Sequence, residues 1–269
     1  MHGRKRMDIQ RLGLIDYLFR AIEHTEEGDS NHSIAMFFLK NYNRIGKLNI
    51  YDVADECYVS RSSVRRFCKQ IGYHNFQDFK RGFRAFDFRY NYFMQMHEKE
   101  NYREWYAGEV ASTIKEVDEM ISQNDLEKIA QRIYESKKVL FFSSYSSAQC
   151  VMEFQRPLVL LNKIIHVMTD TKFSAKEILA CTENDSVFMV STMGNFARNN
   201  LKIMADCLAY KGLITTSHDP DFKKCFTDIY YLTKKDYSNI KSVQGKYGTV
   251  YLFDILYNVY LKKYGNRNL

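Results

Sequence analysis

Five short apolar runs, "KVLFF" (138–142), "IIHVM" (164–168), "SVFMVS" (186–191), "LITTS" (213–217) and "DIYYL" (228–232), are each separated from the next by a stretch of helical pattern or length. Strands that alternate with helix-length segments predict βαβ units and a parallel sheet, which narrows the second half of the chain to an α/β fold. Pro157 falls inside the helix expected after the first strand, so a kink or break is expected there.

The first part reads differently. "DIQRLGLIDYLFRAIEH", "SNHSIAMFFLKNYNRI", "NIYDVADEC" and "SRSSVRRFCKQI" place apolar residues at helical spacing, so residues 1–83 are expected to be all-helical. A polar, aromatic-rich connection over 84–115 then leads to an α/β domain over 116–269. At 269 residues and 45% hydrophobic the chain can bury a core in each part. No apolar run approaches the roughly 20 residues of a membrane span, and no cleavable leader is evident, so a cytoplasmic location and no membrane partner are expected. Six cysteines without a C-x-x-C pair, and seven histidines without H-x-x-x-H spacing, suggest neither a disulfide framework nor a metal site. No cofactor is expected, and "SVFMVSTMGN" is not a dinucleotide fingerprint.

Charge is distributed unevenly. Residues 1–92 hold 16 Lys and Arg against 11 Asp and Glu, a net of +5, and no acidic residue occurs from Val59 to Gln77. Within that window Ser60 is positioned as an N-cap, and Val64, Phe67, Cys68 and Ile71 form an i, i+3, i+4, i+7 stripe, with Gly72 just past the end. At about 100° per residue, Ser62, Arg66 and Lys69 point away from that stripe, with Arg65 beside them. The preceding helix starts at the cap Asn49 and buries Ile50, Val53, Ala54 and Cys57. Two short helices, a tight turn and a cationic second helix predict a helix-turn-helix. Arg61, Ser62 and Ser63 would reach base edges or phosphate of a double-stranded operator, while Arg65, Arg66 and Lys69 would neutralise phosphates.

These residues carry a family resemblance. "LNIYDVADECYVSRSSVRRFCKQIGYHNFQDFK" resembles the N-terminal domain of RpiR-type transcriptional regulators, matching its pattern in order at Ile50, Ala54, Val59, Ser60, Val64, Arg66, Phe67, Gly72, Tyr73, Phe76, Phe79 and Lys80. The resemblance implies a SIS (sugar isomerase) domain in the second half, a five-stranded, doubly wound, flavodoxin-like parallel sheet that senses phosphorylated sugars. It also implies a regulator of carbohydrate genes that acts on DNA without catalysis. Two recognition helices related by a twofold axis read two half-sites, so a homodimer or higher homo-oligomer is expected. The aromatic last helix, with Tyr247, Tyr251, Phe253, Tyr257 and Tyr260, is assigned to pairing.

At the ligand position the chain departs from the SIS pattern. The first loop, G-x-G-x-S in such domains, is Ser143, Ser144, Tyr145, Ser146 and Ser147 here, and the second, S-x-S-G-x-[ST], is "STMGNF". Ser191, Thr192 and Gly194 are retained as candidates with the four serines of the first loop, whereas Met193 and Phe196 replace hydroxyl residues. Two readings stay open: a degenerate pocket kept for folding and pairing, or a pocket for a changed sugar derivative. An isomerase would need a base beside the sugar, for which Glu153 and His166 are the nearest candidates.

Overall fold

An aromatic cluster organises the first of the two units into which the chain divides, Met1–His97 and Glu98–Leu269. The computed structural model describes residues 14–71, 73–81, 97–169 and 171–265. In the first unit these are α1 (Leu14–Glu23), α2 (Ser30–Lys40), a 3-10 turn (Tyr42–Lys47), α3 (Ile50–Glu56) and α4 (Arg61–Gln70). Helical residues 76–81 (α5) follow. Phe38 of α2 is the hub: its ring centroid lies 4.4 Å from Phe79 and 6.1 Å from both Phe67 and Phe76. Rings of this size bury about 150–250 Å² each, so the cluster draws α2, α4 and α5 together around one core.

The second unit contains α6 (Tyr102–Met120), α7 (Gln123–Glu135), β1 (Val139–Ser143), α8 (Tyr145–Leu158), β2 (His166–Met168), α9 (Thr171–Leu179), β3 (Ser186–Val190), α10 (Asn195–Asp206), β4 (Tyr210–Thr215), β5 (Asp228–Tyr231) and α11 (Val243–Tyr264). All strands pair in parallel in the order β2-β1-β3-β4-β5. The five apolar runs of the sequence are these five strands, and the order is that of a doubly wound, flavodoxin-like sheet. Strand alternation sorts the core into two layers. Val139, Phe141, Phe188 and Val190 share a cluster with residues of α7, α8 and α11, whereas Leu140, Phe142, Val187 and Met189 join residues of α9 and α10. Gly212 of β4 is required by that packing, since a β-carbon there would lie 2.7 Å from the Phe188 ring.

The break expected at Pro157 falls one residue later, where α8 ends at Leu158 and the chain continues as a 3-10 turn over Val159–Leu161. Two expectations need adjustment. Of the connection drawn over 84–115, residues 84–96 lie outside the described residues, while 102–115 belong to α6, where Thr113 and Val117 are buried. The aromatic cluster Tyr102, Trp105 and Tyr106 explains the difference, because Tyr106 packs edge-on at 6.0 Å against Tyr247, far along the chain on α11. The apolar surplus on α11 also has an internal use: the helix runs against α6, α7 and α8, and Leu252, Phe253, Leu256 and Tyr260 are buried in its own unit. Among the described residues no helix is long and apolar enough to cross a membrane.

Candidate nucleic-acid interface and ligand site

The helix pair of the first unit is built by its caps. Asn49 accepts from the amides of Tyr51 (2.8 Å) and Asp52 (3.1 Å), and Asp52 accepts in return from the Asn49 amide (2.8 Å), closing a capping box at the start of α3. Ser60 accepts from the Ser63 amide at 3.1 Å and exchanges hydroxyl contacts with Ser62 (2.6 Å) and Ser63 (3.0 Å), which starts α4. Such a cap is worth about 1 kcal/mol. Val64, Phe67, Cys68 and Ile71 are buried as the spacing predicts. Burial pushes the Cys68 thiol up to about 12. The Gly72 expectation lies outside the described residues.

The opposite face of α4 is open. Ser60, Arg61, Ser62, Arg65, Arg66 and Lys69 are exposed and Ser63 is half-buried. Arg61 lies over the Tyr51 ring at 4.7 Å from its centroid, so α3 helps hold the first cation of α4 in place. Other cations of this unit are engaged: Lys80 Nζ donates to the Leu48 carbonyl (2.7 Å), Arg81 pairs with Asp78 (3.5 Å), and Arg44 pairs with Glu56 (3.0 Å). Arg84 and Arg89 lie outside the described residues. A cationic face on the second helix of a tightly capped pair suits a polyanionic duplex.

In the second unit, the sheet reverses its strand order between β1 and β3, and the loops leaving these strands lie side by side. That is where doubly wound sheets bind ligands. The candidates gather here, and several of them already hold internal hydrogen bonds. Ser143 is buried and donates to the Ser144 carbonyl (2.9 Å), and Ser144 contacts Ser147 (3.4 Å). The side chains of Tyr145 and Ser146 lie outside the described part. Ser191 is buried and accepts from the Ala197 amide (3.0 Å), capping α10 from the end of β3. The Thr192 carbonyl accepts from both the amide (3.1 Å) and the hydroxyl (2.6 Å) of Thr216. Gly194 adopts φ +79°, and a β-carbon there would stand 2.4 Å from Ser217 Oγ. Phe196 is no site residue: it is buried, with its ring 4.6 Å from that of Phe142.

Sequence reasoning missed the segment that crosses this edge between β5 and α11. The Tyr237 amide donates to the Thr216 carbonyl (2.9 Å), the Asn239 amide to the Met193 carbonyl (3.0 Å), and Ser238 meets Ser217 hydroxyl to hydroxyl at 2.5 Å. Asp236 fastens the crossing by accepting from the His218 amide (3.0 Å) and from Ser238 (2.9 and 2.6 Å); the Ser238 hydroxyl chiefly holds its carboxyl below the usual range. Beside it, Arg198 of α10 pairs with Asp219 at 2.6 Å and with Asn195 at 2.9 Å. Burial opposes ionisation of Asp219, but the Arg198 guanidinium keeps its carboxyl below the ordinary value. "KKDYSNIK" carries a turn-like composition, the one signal that could have marked it.

Neither isomerase candidate reaches this edge. Glu153 is exposed and paired with Arg156 (2.9 Å), and His166 is exposed at the start of the edge strand β2. Among the described residues no three His, Cys, Asp or Glu side chains gather as a metal site.

A capped helix pair with a cationic second helix, followed by a doubly wound parallel sheet, is the architecture of a two-domain transcriptional regulator. Residues 19–84 match the helix-turn-helix domain of the rpiR family, so the first unit carries an RpiR-family helix-turn-helix domain. The chain is 24% identical over 168 residues to an HTH-type transcriptional regulator in the aarA 3′ region of Providencia stuartii, a match that spans 60% of each chain. Its fold resembles that of Vibrio vulnificus NanR, solved in complex with ManNAc-6P, with a TM-score of 0.53 at 17% identity over 93% of this chain and 92% of that one. It also resembles the sugar isomerase domain of an RpiR transcription factor from Sphaerobacter thermophilus, with a TM-score of 0.52 at 12% identity over 61% of this chain and 92% of that one. The second unit therefore has the SIS fold.

Proposed function

We propose that this chain is a cytoplasmic transcriptional regulator of carbohydrate genes that binds a double-stranded operator as a homodimer through α4. The observation that carries the reading is the unobstructed cationic face of that helix, Arg61, Arg65, Arg66 and Lys69, inside the RpiR-family domain. Arg61, Arg66 and Lys69 are the cations that would neutralise phosphates, Lys69 as a point charge. The SIS domain senses a sugar phosphate or related sugar derivative at the β1 and β3 loops. Support comes from the switch-point geometry and from the complex of the NanR neighbour with ManNAc-6P. Catalysis is not part of the proposal, since Glu153 and His166 lie away from the site and the matched relative is a regulator. The direct experiment is to recover the genomic fragments that the purified protein retains and to identify the adjoining genes. Enrichment of fragments beside sugar-utilisation genes supports the reading; random recovery, or a monomer by light scattering with and without DNA, removes it.

A further inference from the structure

We infer that Tyr58, in the turn of the helix pair, is a DNA-backbone contact whose hydroxyl donates to a phosphate flanking the groove; this rests on the proposed DNA binding by α4. The turn from α3 closes with the Val59 amide on the Ala54 carbonyl (2.9 Å) and the Tyr58 amide on the Asp55 carbonyl (3.2 Å), a Schellman motif with Tyr58 at its left-handed position. Its φ is +54°. That position favours glycine, or asparagine after it, because a β-carbon crowds the following carbonyl. Among the described residues the other non-glycine residues with positive φ are Asn101, Asn162 and Asn239, so the aromatic one stands apart.

Among the described residues nothing accounts for the ring. Tyr58 is 96% exposed, and among the described residues no ring, cation or hydrogen-bond partner engages its side chain. A strained backbone bearing an unpacked aromatic side chain is the pattern of a residue kept for contact with something outside the chain. Its place says what that is. Tyr58 lies two residues before the Ser60 cap and three before Arg61, directly ahead of the stretch Val59 to Gln77, which holds no acidic residue. When the N-terminus of a recognition helix enters the major groove, the chain leading into it runs along the groove edge, where phosphate oxygens are the acceptors and a phenol can donate to them.

The test uses the full chain and a mixed-sequence DNA duplex of about 30 base pairs at about 50 mM salt, conditions under which phosphate contacts dominate. Tyr58→Gly and Tyr58→Asn should bind about tenfold more weakly. Their melting temperatures should match or exceed that of the unmodified chain, since both residues suit the left-handed turn. Tyr58→Phe should lose most of the same affinity, because the hydroxyl is the donor. Unchanged binding by the Gly and Asn variants, full binding by the Phe variant, or a lowered melting temperature in Gly and Asn would each overturn the assignment. If Arg61→Ala, Arg66→Ala and Lys69→Ala together abolish binding while Tyr58→Gly does not, the recognition helix stands and Tyr58 alone falls. An unmodified chain that ignores the duplex removes both.

Discussion

Replacing Arg61, Arg66 and Lys69 together by alanine isolates the electrostatic part of DNA binding. All three side chains are exposed on α4, and among the described residues Arg61 alone of the three has a stabilising contact, over the exposed ring of Tyr51. Losing that contact costs the fold about 0.5–1 kcal/mol, a drop of no more than about 8 °C in the melting temperature of a domain this small. The effect on DNA is far larger. Each neutralised phosphate contributes about 0.9 to the slope of log affinity against log salt, so three lost cations flatten the slope by about 2.7 per head. Extrapolated from a common value at about 1 M salt, that is a loss of about 3.5 orders of magnitude at 50 mM and about 1.9 at 200 mM. Fluorescence anisotropy of a labelled duplex across a salt series, beside thermal denaturation of the same sample, reads both quantities. A variant that melts normally and retains the original slope and affinity would refute the assignment of α4 as the recognition helix.

Gly194→Ala should destabilise the SIS domain by about 2–4 kcal/mol, from the left-handed backbone and the 2.4 Å approach to Ser217 Oγ, and lower its melting temperature by on the order of 10 °C. A calorimetric scan with unchanged melting would contradict this. Ordinary hexose and pentose phosphates should bind the SIS domain weakly, each missing charge-assisted bond costing about 1.5–3 kcal/mol, and titration calorimetry showing micromolar binding would refute a degraded phosphate cradle. Stability of the helical head should fall in alkali. The Cys68 thiol is held near 12 in the folded chain against an ordinary 9.0, so its contribution is intact below about pH 9 and lost above it as the unfolded thiol ionises, by about 1.4 kcal/mol per pH unit. Cys68→Ala should flatten that decline in urea titrations between about pH 9 and 11.

What could be read from the sequence was what local spacing encodes. The caps at Asn49 and Ser60, the stripe on α4 and the five strands all depend on residues within a turn or a run of one another. Features set by distant partners were not legible in that way. The residues 102–115 looked like a connection because their aromatic rings find their partner on α11. The share of the last helix's apolar surface that three neighbouring helices cover was not legible either. Phe196 was read as a lost hydroxyl at the ligand loop, yet it is committed to the core beside Phe142. Tyr58 left no trace as an outlier, since its left-handed backbone is fixed by the hydrogen-bonded turn rather than by its own preference.

The same distinction bears on the ligand site. Counting serines in the two loops suggests a generous set of free hydroxyls, whereas the structure shows several already engaged: Ser143 donates to a carbonyl, Ser144 meets Ser147, and Ser191 accepts from the Ala197 amide. A ligand that takes the Ser143 proton must first break an internal hydrogen bond, so that exchange returns close to nothing in free energy, whereas Ser191 can still donate. Affinity must therefore come from groups that are not committed, or from displacing the segment 236–239 that Tyr237 and Asn239 tie to the ends of β4 and β3. Displacement frees the Thr216 and Met193 carbonyls and the Ser217 hydroxyl together, an acceptor-rich edge suited to the hydroxyls of a sugar rather than to a phosphate dianion.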